Sequence, residues 1–347
     1  MSNGSTLIGS TSTPAAPVVV AAARGARWQR WLRGDTWVLA LAVVYFLALL
    51  PVAPDLANPE NLQLILSNML PLLVVALGQM FVLITSGIDL SVTSTIALTS
   101  VAGAGTMVWP ALGLTGTAAM LAGAVAMLLI AGAVGATNGL AITRLSMPPF
   151  MVTLATMMFF SGGAIWATRS NGIPGLPEAL ATVSQEGFGF VPYALMLVAP
   201  FVVGAHVLLT KSVFGRRLFA VGRNAKAARV SGVPVARTVF TAYVLCAAFA
   251  AVGAFLYTGR LETGSPVLGQ RIFLDVIGAA VIGGVSLFGG KGSVAGVIYG
   301  VLFITLVDNS LNILGFSSFA VLMAKGTVIL LAALFDAMRA RKVAVRA

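Results

Sequence analysis

Ten long apolar runs, broken by short polar stretches, follow one another along most of the chain. A helix crosses the hydrocarbon core of a bilayer with about 20 apolar residues. By that measure the runs fall at roughly 37–53, 62–86, 91–109, 116–141, 149–168, 191–209, 237–258, 272–289, 293–313 and 317–336. Their length and lack of period-two alternation exclude membrane β-strands. The pattern predicts an all-α, polytopic integral membrane protein with about ten transmembrane helices. Two breaks are short: "SGIDLS" parts the second run from the third, and "GGKGS" the eighth from the ninth. Each is either a cytoplasmic turn or an interruption within the membrane. Pro148-Pro149 opens the fifth run, where a missing N–H costs least.

An even number of spans puts both termini on one face. On that face lie Arg24, Arg27, Arg30 and Arg33, then Arg144, then seven basic residues from Lys211 to Arg237, then Lys291, then four after Asp336. The opposite face has Arg169, Arg260 and Arg271, and Lys325 lies inside a span. Lysine and arginine collect on the cytoplasmic side, so both termini are cytoplasmic. Trp28, Trp31 and Trp37 flank the first span as interfacial anchors do. The chain thus divides into a polar tail over 1–35, a transmembrane domain over 36–338 with a cytoplasmic loop at 210–236, and a basic cytoplasmic tail over 339–347. The first tail has no early basic region before an apolar core, so it is not a cleaved signal peptide, and its composition predicts disorder.

Composition narrows the function classes. The 347 residues are 59% hydrophobic and 9% charged, against about 25% charged in a soluble domain, so lipid is the chain's main environment. The net charge of +11 is spread between spans, which argues against nucleic acid as a partner. Cys246 is the single cysteine; it permits no internal disulfide and no cysteine metal cluster. His206, the single histidine, is either a proton relay or a structural or pore-lining group. The 38 glycines fit close helix packing. Neither side of the membrane carries a soluble domain able to convert energy.

One stretch invites a nucleotide reading. "GGVSLFGGKGSVAG" (283–296) sets Lys291 among glycines, as in loops that cradle phosphates. That loop needs Gly, four residues, then Gly-Lys-Ser/Thr. Val285 stands where the first glycine belongs, and Gly292 where the hydroxyl belongs. The match fails twice, so ATP is not expected on this stretch, and Lys291 reads as an orientation charge.

Three other polar features remain. The cytoplasmic loop carries no acid, and "NAKAARVSGV" (224–233) reads as a short helix capped by Asn224 and stopped by Gly232-Val233-Pro234. It is either orientation charge or a helix that docks into a partner. Lys325 and Asp308 sit inside adjacent spans in near mirror register about Gly315, which predicts that they are neighbours. They form a structural pair or touch a solute. Asp89 and Ser91 lie at the "SGIDLS" break, and Asp275 has no partner that the pattern assigns. Asn138, Asn309 and Asn312 lie in apolar spans, where they either bond between helices or face a hydroxylated solute.

Taken together, "SGIDLSV" (86–92), "NGLAITRLSMPPFMVTLATM" (138–157), "FGRRLFAVGRNAKAARVSGV" (214–233) and "AAVIGGVSLFGGKGSVAGVIYG" (279–300) resemble the membrane permease of the ribose/xylose/arabinose/galactose class of bacterial ABC importers. The similarity runs from about 38 to 338, and "NILGFSSFAVLMAKGTVILLAALFD" (312–336), with Lys325, fits it too. The resemblance implies a transport subunit of the inner membrane, not an enzyme. Two permease copies would form the pore, a cytoplasmic ABC ATPase would carry ATP and magnesium, and a periplasmic sugar-binding protein would deliver the solute. No cofactor is implied on this chain. The ATPase contact would fall on Arg216, Arg217, Arg223, Asn224, Ala227, Ala228, Arg229, Ser231 and Gly232. The family commonly has glycine after "GIDLSV", and here Thr93 stands there. The competing class is an ion-coupled secondary transporter, which would need coupling acids at mid-membrane. Asp308, Asp275 and Asp89 qualify, with Lys325 neutralising one.

Overall fold

The computed structural model describes residues 36–344 except residue 271; side chains at 335, 336 and 338–344 are left aside. The tail over 1–35, with its arginines and Trp28 and Trp31, lies outside the described residues, as does Arg271. In chain order the helices are α1 (Thr36–Leu49), α2 (Pro59–Ile84), α3 (Val92–Met107), α4 (Gly116–Arg144), α5 (Pro149–Thr168), α6 (Glu178–Gln185), α7 (Tyr193–Thr210), α8 (Val213–Arg223), α9 (Ala225–Val230), α10 (Val235–Leu261), α11 (Phe273–Ile282), α12 (Val294–Ile313) and α13 (Ser318–Ala344). A two-residue hairpin, Gly187–Phe188 with Val191–Pro192, sits between α6 and α7. Among these, α2, α4, α5, α7, α10 and α12 are long and apolar enough to cross a bilayer, while α1, α11 and the apolar part of α13 are shorter.

Proline and cap residues set the starts. Pro59 takes the first position of α2, and the Asn58 side chain accepts from Glu60 N at 3.1 Å. Pro149 opens α5, and Pro234 precedes α10. The connection between α5 and α7 contains α6, whose Leu180 and Ser184 are buried. The tail expected at 339–347 is helical as far as Ala344.

The centre of the molecule is α2, buried continuously from Met69 to Ile84. It packs against α10, which also packs on α4. Glycine permits both approaches. A β-carbon on Gly78 would come within 2.7 Å of Phe249 Cβ, and one on Gly135 within 2.8 Å of the Tyr243 carbonyl oxygen. In a bilayer such close van der Waals packing drives helix association, because lipid is as apolar as the side chains.

The eighth apolar run differs from expectation. It was expected over 272–289, but α11 stops at Ile282, where Gly283 and Gly284 (φ +86°) turn the chain. Ten residues reach about 15 Å, half of the roughly 30 Å core. Its end is fixed on α12 by glycines: β-carbons on Gly283, Gly296 or Gly300 would each strike backbone of the facing helix. The α11–α12 hairpin is therefore packed backbone to backbone.

Candidate functional site

The segment between α7 and α10 is built from two capped helices. Ser212 Oγ accepts from Gly215 N at 3.1 Å to start α8. Leu218 and Val221 turn inward, and Arg216 and Arg217 stand exposed. Asn224, at φ −163°, breaks the helix, and its side chain accepts from Ala227 N at 3.0 Å to begin α9. The helix ends through Gly232 N to Arg229 O (3.1 Å) and Val233 N to Ala228 O (3.0 Å), with Gly232 at φ +80°. This is the left-handed C-terminal stop that glycine favours. The helix expected over 224–233 thus covers 225–230. Ala228 is its buried foot; Arg223, Asn224, Ala227, Arg229, Ser231 and Gly232 are exposed. Val230 is 91% exposed, an apolar tip beside the basic face.

The "SGIDLS" break is closed by a buried polar chain. Asp89 Oδ1 accepts from Ser91 N at 2.9 Å and from Ser91 Oγ at 2.6 Å. Ser91 Oγ accepts from Asn138 Nδ2 on α4 at 2.7 Å, and Asn138 Oδ1 accepts from Thr156 Oγ1 on α5 at 2.8 Å. Thr153 Oγ1 donates to the Ile88 carbonyl at 3.2 Å. Asp89, Ser91 and Asn138 are all buried, and these bonds tie the break to α4 and α5. Asn309 resolves in the same way. It exchanges two bonds with Asn61 on α2, at 3.1 and 2.8 Å. Thr93, where the family pattern has glycine, sits in the first turn of α3 and donates to Leu90 O at 3.3 Å.

Lys325 has two acid partners. Its Nζ lies 2.6 Å from Asp308 Oδ1, the neighbour expected, and 3.0 Å from Asp275 Oδ2, a partner the sequence pattern did not assign. Asn312 Nδ2 donates to the Asp308 carbonyl at 2.6 Å. The available signal was arithmetic: Lys325 is a cation within a span, and Asp275 an acid within a span that had no assigned partner. These groups line an open cleft of about 760 Å³ with Gln270 and Phe319. Asp308 lies about 21 Å along α12 from Val294, past the midpoint of the helix. The Asp308 side chain is 42% exposed. A charge facing lipid at the bilayer centre costs about 2.5–3.5 kcal/mol on insertion scales, so this face meets water or protein.

Elsewhere, Cys246 is a buried free thiol on α10, donating to Gln79 Oε1 at 3.4 Å, and His206 is exposed on α7.

The family described as branched-chain amino acid transport system / permease component matches residues 61–335. Among curated proteins, the ribose import permease protein RbsC of Bacillus subtilis is 39% identical over 293 residues, covering 82% of this chain and 86% of that one. The L-arabinose ABC transporter permease protein AraH of Azospirillum brasilense is 33% identical, covering 94% of each chain. The galactose/methyl galactoside import permease protein MglC of Haemophilus influenzae is 33% identical, covering 83% of this chain and 90% of that one. No solved structure matches.

Proposed function

The chain belongs to the permease-component family of the branched-chain amino acid transport system, and on that premise we propose that it carries a monosaccharide or similarly polar solute across the inner membrane. It is a transport subunit of an ABC importer, a multi-pass membrane protein, and ATP is hydrolysed on a separate subunit. Ion-coupled transport, the competing class, is set aside by the same kinship.

The capped helix α9 carries the finer reading. Its exposed basic face, with Arg216 and Arg217 on α8, presents a short rigid element to a cytoplasmic ATPase, whose groove would be acidic. The Lys325–Asp275–Asp308 cluster, exposed chiefly at Asp308, supports a path between two copies of the chain, since lipid is a costly cover for it. Two carboxylates and one ammonium exchange hydrogen bonds readily with hydroxyl groups. Their net negative charge disfavours the carboxylate of an amino acid, so the cleft favours the sugars in the relatives' names over the amino acids in the family's description. A periplasmic binding protein delivers solute to the opposite face. The permease binds solute weakly, because a tight site slows exit.

Co-purification tests this reading. The chain extracted in mild detergent should carry an ATPase with two nucleotide-binding modules. Replacing Arg216, Arg217 and Arg229 by Glu should release the ATPase while the permease stays in the membrane. An ATPase retained through that charge reversal would remove α8–α9 as its dock.

A further inference from the structure

The glycine–lysine turn has no nucleotide role, yet it is held in place by the coupling segment. Gly290 N donates to the Ile84 carbonyl at 2.9 Å. Ser86 Oγ lies 2.9 Å from the Phe288 carbonyl and 3.2 Å from the Gly222 carbonyl, so one hydroxyl proton is shared between them. Three separate parts of the chain meet here: the end of α2, the α11–α12 turn, and the last turn of α8 just before α9.

The meeting is close enough that only glycine fits at three positions. A β-carbon on Gly222 would strike the Ile84 carbonyl oxygen, and one on Gly289 would strike Ser86 Oγ. A β-carbon on Gly290 would lie 2.8 Å from Arg223 Cγ. Ser86 (φ +64°), Gly289 (φ +81°) and Gly290 (φ +71°) all hold left-handed backbone. For serine this is an uncommon conformation that must be held by its surroundings. The turn closes on itself through Gly289 N to Ser286 O (3.1 Å) and Ser286 N to Lys291 O (3.2 Å). It therefore transmits displacement as a compact unit.

What lies beyond the turn gives the contact its use. α11 runs from it to Asp275, and Asp275 shares Lys325 with Asp308 of α12. The glycine contacts between α11 and α12 hold that hairpin together. A push on α9 reaches the turn through Gly222–Arg223, and from there one short rigid helix leads to the charged cleft.

We propose that Ser86, Gly222, Gly289 and Gly290 form the junction through which the coupling segment moves the α2–α3 break and the α11–α12 hairpin. They are positioning residues: none touches ATP or the cleft. The proposal rests on the importer reading, because it needs a partner that moves α9.

The test uses the full complex in proteoliposomes and counts solute taken up per ATP hydrolysed. Ser86→Gly removes the shared hydroxyl while accepting φ +64° without strain. Gly222→Ala forces the α8 neck away from Ile84. Each variant is compared at equal amounts of membrane-inserted, ATPase-bound permease, which excludes misfolded protein. The expected result is ATP hydrolysis near the parent rate, with solute per ATP reduced about fivefold or more, the lower range of site-to-site coupling. Uptake and hydrolysis unchanged in Ser86→Gly, or falling in strict proportion in both variants, would overturn the junction. A parent complex whose uptake does not need ATP would instead overturn the importer reading.

Discussion

Lys325→Met leaves Asp275 and Asp308 facing one another without their shared cation. Removing one partner of a buried ion pair costs about 3–5 kcal/mol. Asp275 is 19% exposed and belongs to that class, whereas Asp308 is 42% exposed and solvent screening cuts its share to about 1 kcal/mol or less. The whole loss should therefore sit at the lower end, about 3 kcal/mol. The double variant Asp275→Asn/Lys325→Met removes both charges of the tighter pair. Replacing both partners is often near neutral, so it should recover about 2 kcal/mol of the loss. Chemical unfolding in mixed micelles, followed by tryptophan fluorescence, measures Lys325→Met, Asp275→Asn and the double variant in one cycle. Lys325→Met as stable as the parent, or a double variant equal to the sum of the singles, would refute the ion cluster as a coupled unit.

Three more outcomes follow from individual contacts. Asn224→Ala removes the cap of α9 and about 1 kcal/mol of helix stability; the ATPase should bind more weakly in pull-downs, with membrane insertion unchanged. Asn138→Val leaves Ser91 and Thr156 without their bridge at a cost of about 1–3 kcal/mol. It should lower the thermal midpoint without altering which solutes compete for uptake, because both ends of the buried Asn138 amide are taken up by Ser91 and Thr156. Gly135→Val sets a branched side chain against the Tyr243 backbone and should destabilise by about 1–3 kcal/mol, as overpacking does, read by heat-induced loss of the monodisperse detergent peak.

The parts legible in the sequence are those governed by local rules. Long apolar runs give helices because every backbone polar group must be satisfied within the segment when water is absent. Asn224 and Gly232 bracket α9 with the two residue types that caps require, so a short helix between them could be read directly. Asp308 and Lys325 could be paired because a tight turn at Gly315 relates the two helices by reflection. The short α11 could not be read, because "GGVSLF" continues the apolar run while its glycines turn the backbone. Asp275 is 50 residues from Lys325, and no local rule joins them. The direction of Asn138 and Asn309 depends on helix rotation, which hydropathy does not encode. The meeting of Ser86, Gly222 and Gly290 is made by main-chain atoms and one serine hydroxyl, and its sequence trace is no more than a scatter of glycines.

The central claim is that ATP spent on a partner subunit drives solute through this chain. Uptake by proteoliposomes tests it most directly, with the permease and its ATPase in the membrane, the binding protein and labelled sugar outside, and ATP sealed within. The account predicts accumulation that needs internal ATP, the ATPase and the binding protein together, and that survives ionophores. Accumulation by the permease alone under an ion gradient would contradict it.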